Sequence, residues 1–149
     1  MAKDPLPYLK AQQWVLDEAF IRQLCLIIKD HIQTKYKNQK VAIFTLAHDG
    51  IPPSHMIARE IDAPVYVINT TTDIIPMLES LPKDMPIIML DDIYDTGKTY
   101  EKYAPLIQAT EWVFLTAKQD IPRGTFCPCV FQTQAYIVYP WEKYDFEEK

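Results

Sequence analysis

Two neighbouring acids and a glycine turn stand close together near the middle of the chain. Asp91 and Asp92 follow an apolar run at 87–90, and Gly97 comes shortly after them. Adjacent carboxylates can accept hydrogen bonds from sugar hydroxyls or hold Mg²⁺, directly or through water. A glycine between a strand and a helix lets successive main-chain N–H groups converge on an anion. This spacing favours a site for a phosphorylated sugar, in which the two acids bind either sugar hydroxyls or Mg²⁺.

The residues around the glycine suit a phosphate monoester. Thr96 and Thr99 bring hydroxyl donors, and Lys98 opens a predicted helix. A nucleotide-binding P-loop is excluded, because the glycine that must precede this turn at a fixed spacing is missing. The plain alternative is a strand followed by a capped helix whose acids are exposed.

Alternating apolar runs and helical patterns predict the elements that position these residues. Helices are predicted at 14–31, 53–61 and 98–108, and strands at 41–47, 64–68, 87–90, 112–117 and 135–139. This order is typical of an open, mostly parallel α/β sheet of about five strands flanked by helices. Ligands of such sheets bind at the carboxyl ends of the strands. The places to look are then 47–50, 69–70, 91–99 and the residues from 118 onward.

Composition excludes several other classes of protein. The 149 residues suit a single domain, 1–149, and the net charge of -5 with scattered lysines and arginines argues against nucleic-acid binding. No apolar run is long enough to span a membrane. The first residues lack a signal-peptide pattern, so a cytoplasmic location is expected. Cys127 and Cys129 are predicted to be ordinary loop or strand cysteines rather than a metal or redox pair.

The stretch at 87–99 resembles the phosphoribosyl-pyrophosphate motif of type I phosphoribosyltransferases. Weaker similarity covers 41–142, and the short bacterial xanthine–guanine enzymes are the most similar members. The resemblance implies a phosphoribosyltransferase fold with a small C-terminal hood formed mainly by 118–149. It also implies Mg²⁺-dependent transfer of a 5-phosphoribosyl group to a 6-oxopurine-like base, with release of pyrophosphate, as in purine salvage. Members of the family are often homo-oligomers, so a dimer or tetramer is expected.

The resemblance assigns roles within the motif. Asp91 and Asp92 would hold the ribose hydroxyls, directly or through Mg²⁺. Asp95 would manage the proton of a base ring nitrogen, and Ile93 would pack on one face of the base. The 5-phosphate would be wrapped by the loop residues Asp95, Thr96, Gly97, Lys98 and Thr99.

Later residues would recognise the base. Lys118 would read the 6-oxo group, Tyr136 would stack on the ring, and the main chain of Ile137 would read the exocyclic group. Glu142 would help to hold a second Mg²⁺. The alternatives are a solvated lysine at 118, plain strand packing at 136, and a hydrophobic plug rather than a ligand contact at Trp141.

One loop departs from the family pattern. Members usually carry a basic residue followed by two glycines after the first strand, where pyrophosphate binds. Here the corresponding residues are Ala47, His48, Asp49 and Gly50. His48 is only partly charged near neutral pH, and Asp49 would repel pyrophosphate unless it binds Mg²⁺. Two alternatives therefore stay open: a non-catalytic nucleotide-binding regulator of the same fold, and a phosphoribosyltransferase for a pyrimidine or unusual base.

Overall fold

Strands and helices alternate along most of the chain. The structure is a computed structural model that describes residues 13–142. None of the helices in this range is long and apolar enough to cross a membrane. Two short 3₁₀ turns, at Thr71–Asp73 and Pro140–Glu142, accompany the main elements. In chain order these are β1 (Gln13–Val15), α1 (Glu18–Lys35), β2 (Ala42–Leu46), α2 (Ile51–Ile61), β3 (Val65–Ile68), α3 (Ile74–Glu79), β4 (Ile87–Tyr94), α4 (Lys98–Ile107), β5 (Glu111–Ala117) and β6 (Tyr136–Val138).

Four strands form the main sheet, which is parallel throughout. Their order is β3-β2-β4-β5, so β2 and β4 are the central strands. Phe44 of β2 pairs with Tyr66 of β3 on one side and with Met89 of β4 on the other. The carboxyl ends of all four strands therefore lie along one edge of the sheet. The predicted α/β class with a parallel sheet is confirmed.

The central strands are buried on both faces. Successive side chains of a strand point to opposite faces, so Ile43 and Phe44 of β2 enter different cores. Ile43 packs with residues of α1 and α2, whereas Phe44 packs with residues of α3 and α4. Both side chains are fully buried. Burial on both faces explains why the sequence shows a continuous apolar run here instead of an alternating one.

The last predicted strand pairs in a different place from the expected one. The stretch at 135–139 does form a strand, β6, but β6 pairs with β1 in a separate two-stranded parallel sheet. The main sheet accordingly has four strands rather than about five. Trp14, expected in the first helix, lies in β1. Helix α1 begins later because Asp17 caps it, its carboxylate accepting the N–H of Phe20 at 2.8 Å.

The proline- and cysteine-rich stretch after β5 runs beside that strand as an irregular edge. The N–H of Phe126 donates to the carbonyl of Trp112 at 3.1 Å, and the N–H of Phe131 donates to that of Ala117 at 2.8 Å. Cys127 lies between these contacts as a free cysteine. Burial raises the pKa of its thiol to about 11, which keeps the group neutral and unreactive near pH 7.

Candidate active site

Strand β4 carries the acidic pair inside the sheet rather than beyond its end. The apolar pattern predicts a strand that ends at Leu90, but β4 continues to Tyr94. It does so because β5 pairs along this length, for example at Asp91 and Phe114. Asp91 and Asp92 are consequently buried, with exposed fractions of 8% and 9%.

The two acids perturb each other electrostatically. The main-chain N–H of Asp92 donates to Oδ1 of Asp91 at 2.9 Å. Burial raises the pKa of Asp91, and burial raises that of Asp92 well above its usual value, with the charge of Asp91 adding to the effect. Asp49, from the loop after β2, also raises both pKa values through its negative charge. Hydroxyl donors or a divalent cation would relieve this concentration of acids.

The arrangement is compatible with Mg²⁺ but does not enclose it. Within residues 13–142, no three His, Cys, Asp or Glu side chains lie close enough together to hold one metal ion. Mg²⁺ keeps several water ligands and is commonly held by one or two carboxylates together with substrate oxygens. Asp91 and Asp92 fit such a partial ligand set. Across that same range, Glu142 does not join them in a common cluster.

The turn after β4, residues 96–99, is here called the cup. It contains a glycine in a conformation that suits anion binding. Gly97 has φ +89° and ψ -2°, in the region that favours glycine. A Cβ at this position would lie 2.8 Å from the hydroxyl of Tyr94. Helix α4 starts at the next residue, and the N–H of Lys98 donates to Oγ1 of Thr96 at 3.3 Å. This bond places the first amide of α4 beside the hydroxyl of Thr96.

An open cavity joins the cup to the acidic pair. Its volume is about 120 Å³, and residues 91–100 line it together with Phe114 of β5. Thr96, Lys98 and Thr99 are exposed around it. The structure therefore brings the predicted ribose-binding and 5-phosphate-binding residues into one continuous site.

Lys118 and Asp95 meet beside this cavity. Lys118 follows β5 directly, and its N–H donates to the carbonyl of Tyr94 at 2.9 Å. Its Nζ lies 3.8 Å from Oδ1 of Asp95, and the Gln119 side-chain amide donates to the main-chain carbonyl of Asp95. Ile93 is half-buried and packs against the core beneath α1 and α2. A basic and an acidic group are thereby placed together at the ends of neighbouring strands.

The loop after β2 is built differently. It contains Ala47, His48 and Asp49, with the last two exposed, and the Ala47–His48 peptide bond is cis. Gly50 has an ordinary φ of -78°. A Cβ there would collide with Oγ1 of Thr45, which donates to the carbonyl of Leu90 at 2.8 Å. Gly50 is therefore required for space rather than for conformation.

Helix α2, which follows this loop, has few free amide donors at its start. Pro52 and Pro53 have no N–H group. The N–H of Ile51 already donates to the carbonyl of His48, and that of Ser54 to the carbonyl of Gly50, each at 3.1 Å. The first turn of α2 is consequently a poor anion site.

The C-terminal base-binding candidates lie on β6 and the turn after it. Tyr136 is 47% exposed, whereas the side chain of Ile137 is buried in the core. Oε1 of Glu142 accepts the N–H of Tyr139 at 3.0 Å. The roles of Tyr136 and Ile137 toward the base, and of Glu142 toward a second Mg²⁺, stay predictions.

Two hydroxyl groups next to the acidic pair were not predicted from the sequence. The hydroxyl oxygens of Tyr139 and Thr116 lie 3.1 Å and 3.2 Å from the main-chain carbonyl oxygen of Asp92 and 2.6 Å from each other. Both residues are buried. Tyr139 directly precedes Pro140 and Trp141, but nothing in the sequence indicates that it reaches β4.

Known proteins with the same architecture were found among solved structures alone. No known protein-family profile and no curated protein sequence matches the chain. The purine phosphoribosyltransferase of Pyrococcus horikoshii is 18% identical with a TM-score of 0.67, covering 88% of this chain and 94% of that one. The xanthine-guanine-hypoxanthine phosphoribosyltransferase of Helicobacter pylori is 14% identical with a TM-score of 0.72, covering 92% and 98%.

A further similar structure is a hypothetical protein from Neisseria gonorrhoeae with bound ppGpp. It is 16% identical with a TM-score of 0.67, covering 92% of this chain and 93% of that one. These likenesses extend over nearly the whole length of each protein. They confirm the expected architecture: the chain has the fold of the type I purine phosphoribosyltransferases.

Proposed function

We propose that this protein transfers a 5-phosphoribosyl group from phosphoribosyl pyrophosphate to a 6-oxopurine-like base and releases pyrophosphate. One observation carries the proposal. A buried acidic pair, an acid beside a lysine, and a turn held open by Gly97 follow one another around a single cavity. The order matches the order of ribose, base and 5-phosphate that the resemblance assigns to these residues.

The 5-phosphate binds in the cup at 96–99. The positive φ of Gly97 suits a loop whose amides bind one anion, and the start of α4 adds its partial positive charge. The hydroxyls of Thr96 and Thr99 complete the set of donors. These contacts fix the donor substrate without requiring a basic patch, in keeping with the acidic composition.

The ribose hydroxyls bind to Asp91 and Asp92. As carboxylates, both side chains accept hydrogen bonds from the sugar, and such bonds offset part of the cost of burying their charge. Mg²⁺, when bound, neutralises the leaving pyrophosphate and the carboxylates that face it. Asp49 lies near enough for its negative charge to raise the pKa values of both acids.

The base lies next to Lys118 and Asp95. The Nζ group of Lys118 donates to the 6-oxo oxygen, and the nearby carboxylate of Asp95 takes the ring proton as the new bond forms. Ile93 packs on the ring, Tyr136 stacks on it, and the Ile137 main chain reads its exocyclic group. The transition state resembles a ribosyl oxocarbenium ion, so catalysis depends mainly on positioning and on stabilising charge.

Pyrophosphate release is the direct test. Mixing the protein with phosphoribosyl pyrophosphate, Mg²⁺ and guanine, hypoxanthine or xanthine should release pyrophosphate. Asp95→Asn should lower turnover roughly 100-fold, the usual contribution of a general acid–base group, while changing the affinity for guanosine 5′-monophosphate about threefold or less. Asp84→Asn is the matched control, because Asp84 is exposed in the turn before β4, at the opposite end of that strand.

Equal turnover in Asp95→Asn and the parent protein would remove Asp95 from the reaction. A panel that includes uracil and other pyrimidines tests the acceptor. If pyrophosphate is released with a pyrimidine and not with a 6-oxopurine, the protein is still a phosphoribosyltransferase, but its acceptor is a pyrimidine.

A second candidate function is a non-catalytic nucleotide-binding regulator. The start of α2 favours it, since Pro52 and Pro53 remove amide donors where pyrophosphate would bind and Asp49 adds negative charge. The Neisseria gonorrhoeae protein with bound ppGpp indicates that this fold can carry a guanine nucleotide. Calorimetric titration separates the two functions. Tight monophosphate binding without pyrophosphate release from any base would favour the regulator.

A further inference from the structure

The main-chain carbonyl of Asp92 lies where the pairing of β4 becomes irregular, and two side-chain hydroxyls reach it there. In the described residues, the ladder with β5 pairs Asp91 and Ile93 but passes over Asp92, and the ladder with β2 ends at Leu90. Asp92 is buried, so its carbonyl oxygen depends on protein donors rather than on water. A buried carbonyl without a donor would cost about 1–3 kcal/mol.

Two side-chain hydroxyls lie within hydrogen-bond distance of that carbonyl oxygen. Tyr139 lies 3.1 Å and Thr116 lies 3.2 Å from the Asp92 carbonyl oxygen, and the two hydroxyl oxygens are 2.6 Å apart. Each hydroxyl has one hydrogen to donate. The short distance between the hydroxyls indicates that one donates to the other, which then donates to Asp92. All three groups are buried, so this triangle is protected from water.

The triangle connects the acidic pair to the C-terminal segment. Tyr139 directly follows β6, and its ring stacks flat on that of Trp141, with centroids 4.8 Å apart and planes 3° apart. Glu142 holds the main chain of Tyr139 through the bond to its N–H. The tyrosine is therefore fixed at its main chain, its ring and its hydroxyl.

We propose that Tyr139, together with Thr116, is a positioning residue that holds the main chain of Asp92 so that the acidic pair can grip the ribose hydroxyls. This inference rests on the proposed function, which assigns the ribose to Asp91 and Asp92. Tyr139 does not touch the ligand. It acts by fixing the carbonyl next to the carboxylate that does.

The test compares two nucleotides that differ only in the ribose hydroxyls. Calorimetry with Mg²⁺ measures binding of guanosine 5′-monophosphate and of its 2′,3′-dideoxy analogue. The parent protein should bind the ribonucleotide at least about 10-fold more tightly, the worth of one or two hydrogen bonds to a charged group. Tyr139→Phe should reduce that ratio about fivefold or more, by weakening the ribonucleotide and sparing the dideoxy analogue.

Tyr36→Phe is the matched control. Its hydroxyl is also buried and donates to Oε1 of Glu111 at 2.9 Å, at the other end of β5 from Thr116. It should lose stability but keep the parent ratio of the two affinities. Thr116→Val should reduce the ratio as Tyr139→Phe does, and Thr116→Ser, which retains a hydroxyl, should restore it.

Each outcome supports or overturns the positioning role. If the parent distinguishes the two nucleotides and Tyr139→Phe distinguishes them equally well, the positioning role is wrong while the ribose assignment survives. If the parent binds both equally, the ribose assignment fails and takes the positioning role with it. Should Tyr139→Phe fail to fold, the contrast between Thr116→Val and Thr116→Ser decides the question in its place.

Discussion

Strands β2 and β4 end at the same edge of the sheet, and the loop that follows each strand contains a glycine. The two glycines serve different purposes. Gly97 adopts a positive φ that lets the loop curl around an anion. Gly50 has an ordinary φ and is needed because Thr45 leaves no room for a Cβ. Gly97 provides the backbone shape that the proposed phosphate site needs, and Gly50 provides space for packing.

The helices that follow differ in the same sense. Helix α4 starts beside the cup with two threonines around it, whereas α2 starts with Pro52 and Pro53. The loop after β4 can therefore hold a phosphate through its main chain. The first turn of α2 offers fewer main-chain donors for a phosphate. The proposed 5-phosphate loop, which resembles the family motif, therefore differs physically from the proposed pyrophosphate loop, which departs from it.

Changing Gly97 should have the largest effect on ligand binding. Gly97→Ala forces an L-residue into a positive φ and pushes a methyl group against Tyr94, at a cost of roughly 1–3 kcal/mol. The affinity for guanosine 5′-monophosphate should fall roughly 10- to 100-fold by calorimetry. Gly124→Ala is the control, since Gly124 has φ +84° and no atom within 4 Å of an added Cβ. Weakened binding in that control would refute a local effect at the cup.

Changing Gly50 should instead affect stability. Gly50→Ala places a methyl group against Thr45, which should lower the free energy of unfolding by about 1–3 kcal/mol in urea titrations. Thr45→Ala in the same chain removes the obstructing hydroxyl and should recover part of the loss. Under conditions where the variant is fully folded, its affinity for the monophosphate should change less than that of Gly97→Ala. The reverse ranking would mean that the two loops have been assigned the wrong roles.

Changing the acidic pair should have a smaller effect on the free energy of unfolding, and this effect should depend on pH. Burial raises the pKa of Asp92, so the folded protein favours its protonated form and loses stability as the pH rises from about 4 through that raised pKa. Asp92→Asn removes this loss. Without Mg²⁺, it should raise the free energy of unfolding at pH 7 by roughly 1 kcal/mol and have little effect near pH 4.

Asp73 provides a control of opposite sign. Main-chain N–H groups of Thr70 and Asn69 lower the pKa of Asp73, so its charge stabilises the fold above about pH 4 and that benefit is lost as the pH falls. Asp73→Asn should therefore reduce stability at pH 7. If the free energy of unfolding of Asp92→Asn and of the parent protein changes identically with pH, burial does not raise the pKa of Asp92 as inferred.

The sequence predicts the local features of the site better than its long-range contacts. The apolar runs at 41–47 and 112–117 mark strands because burial on both faces leaves a continuous signal. The turn at Gly97 is equally visible, since its residues are adjacent in the chain. Each of these features depends on neighbours in sequence, which a pattern can record.

Predictions were wrong, or were not made, where the structure depends on contacts between residues that are distant in sequence. The extension of β4 to Tyr94 depends on β5, and the position of Trp14 in a strand depends on the pairing of β1 with β6. The bond from Tyr139 to Asp92 joins residues 47 positions apart. The spacing of apolar residues carries no information about such contacts.

A crystal structure with guanosine 5′-monophosphate and Mg²⁺ tests the central claim most directly. We expect the phosphate to lie within hydrogen-bond distance of the main-chain amides at 96–99, with the ribose hydroxyls on the side of Asp91 and Asp92. A phosphate bound at another loop, or a Gly97 turn whose amides point away from it, would contradict the proposed site.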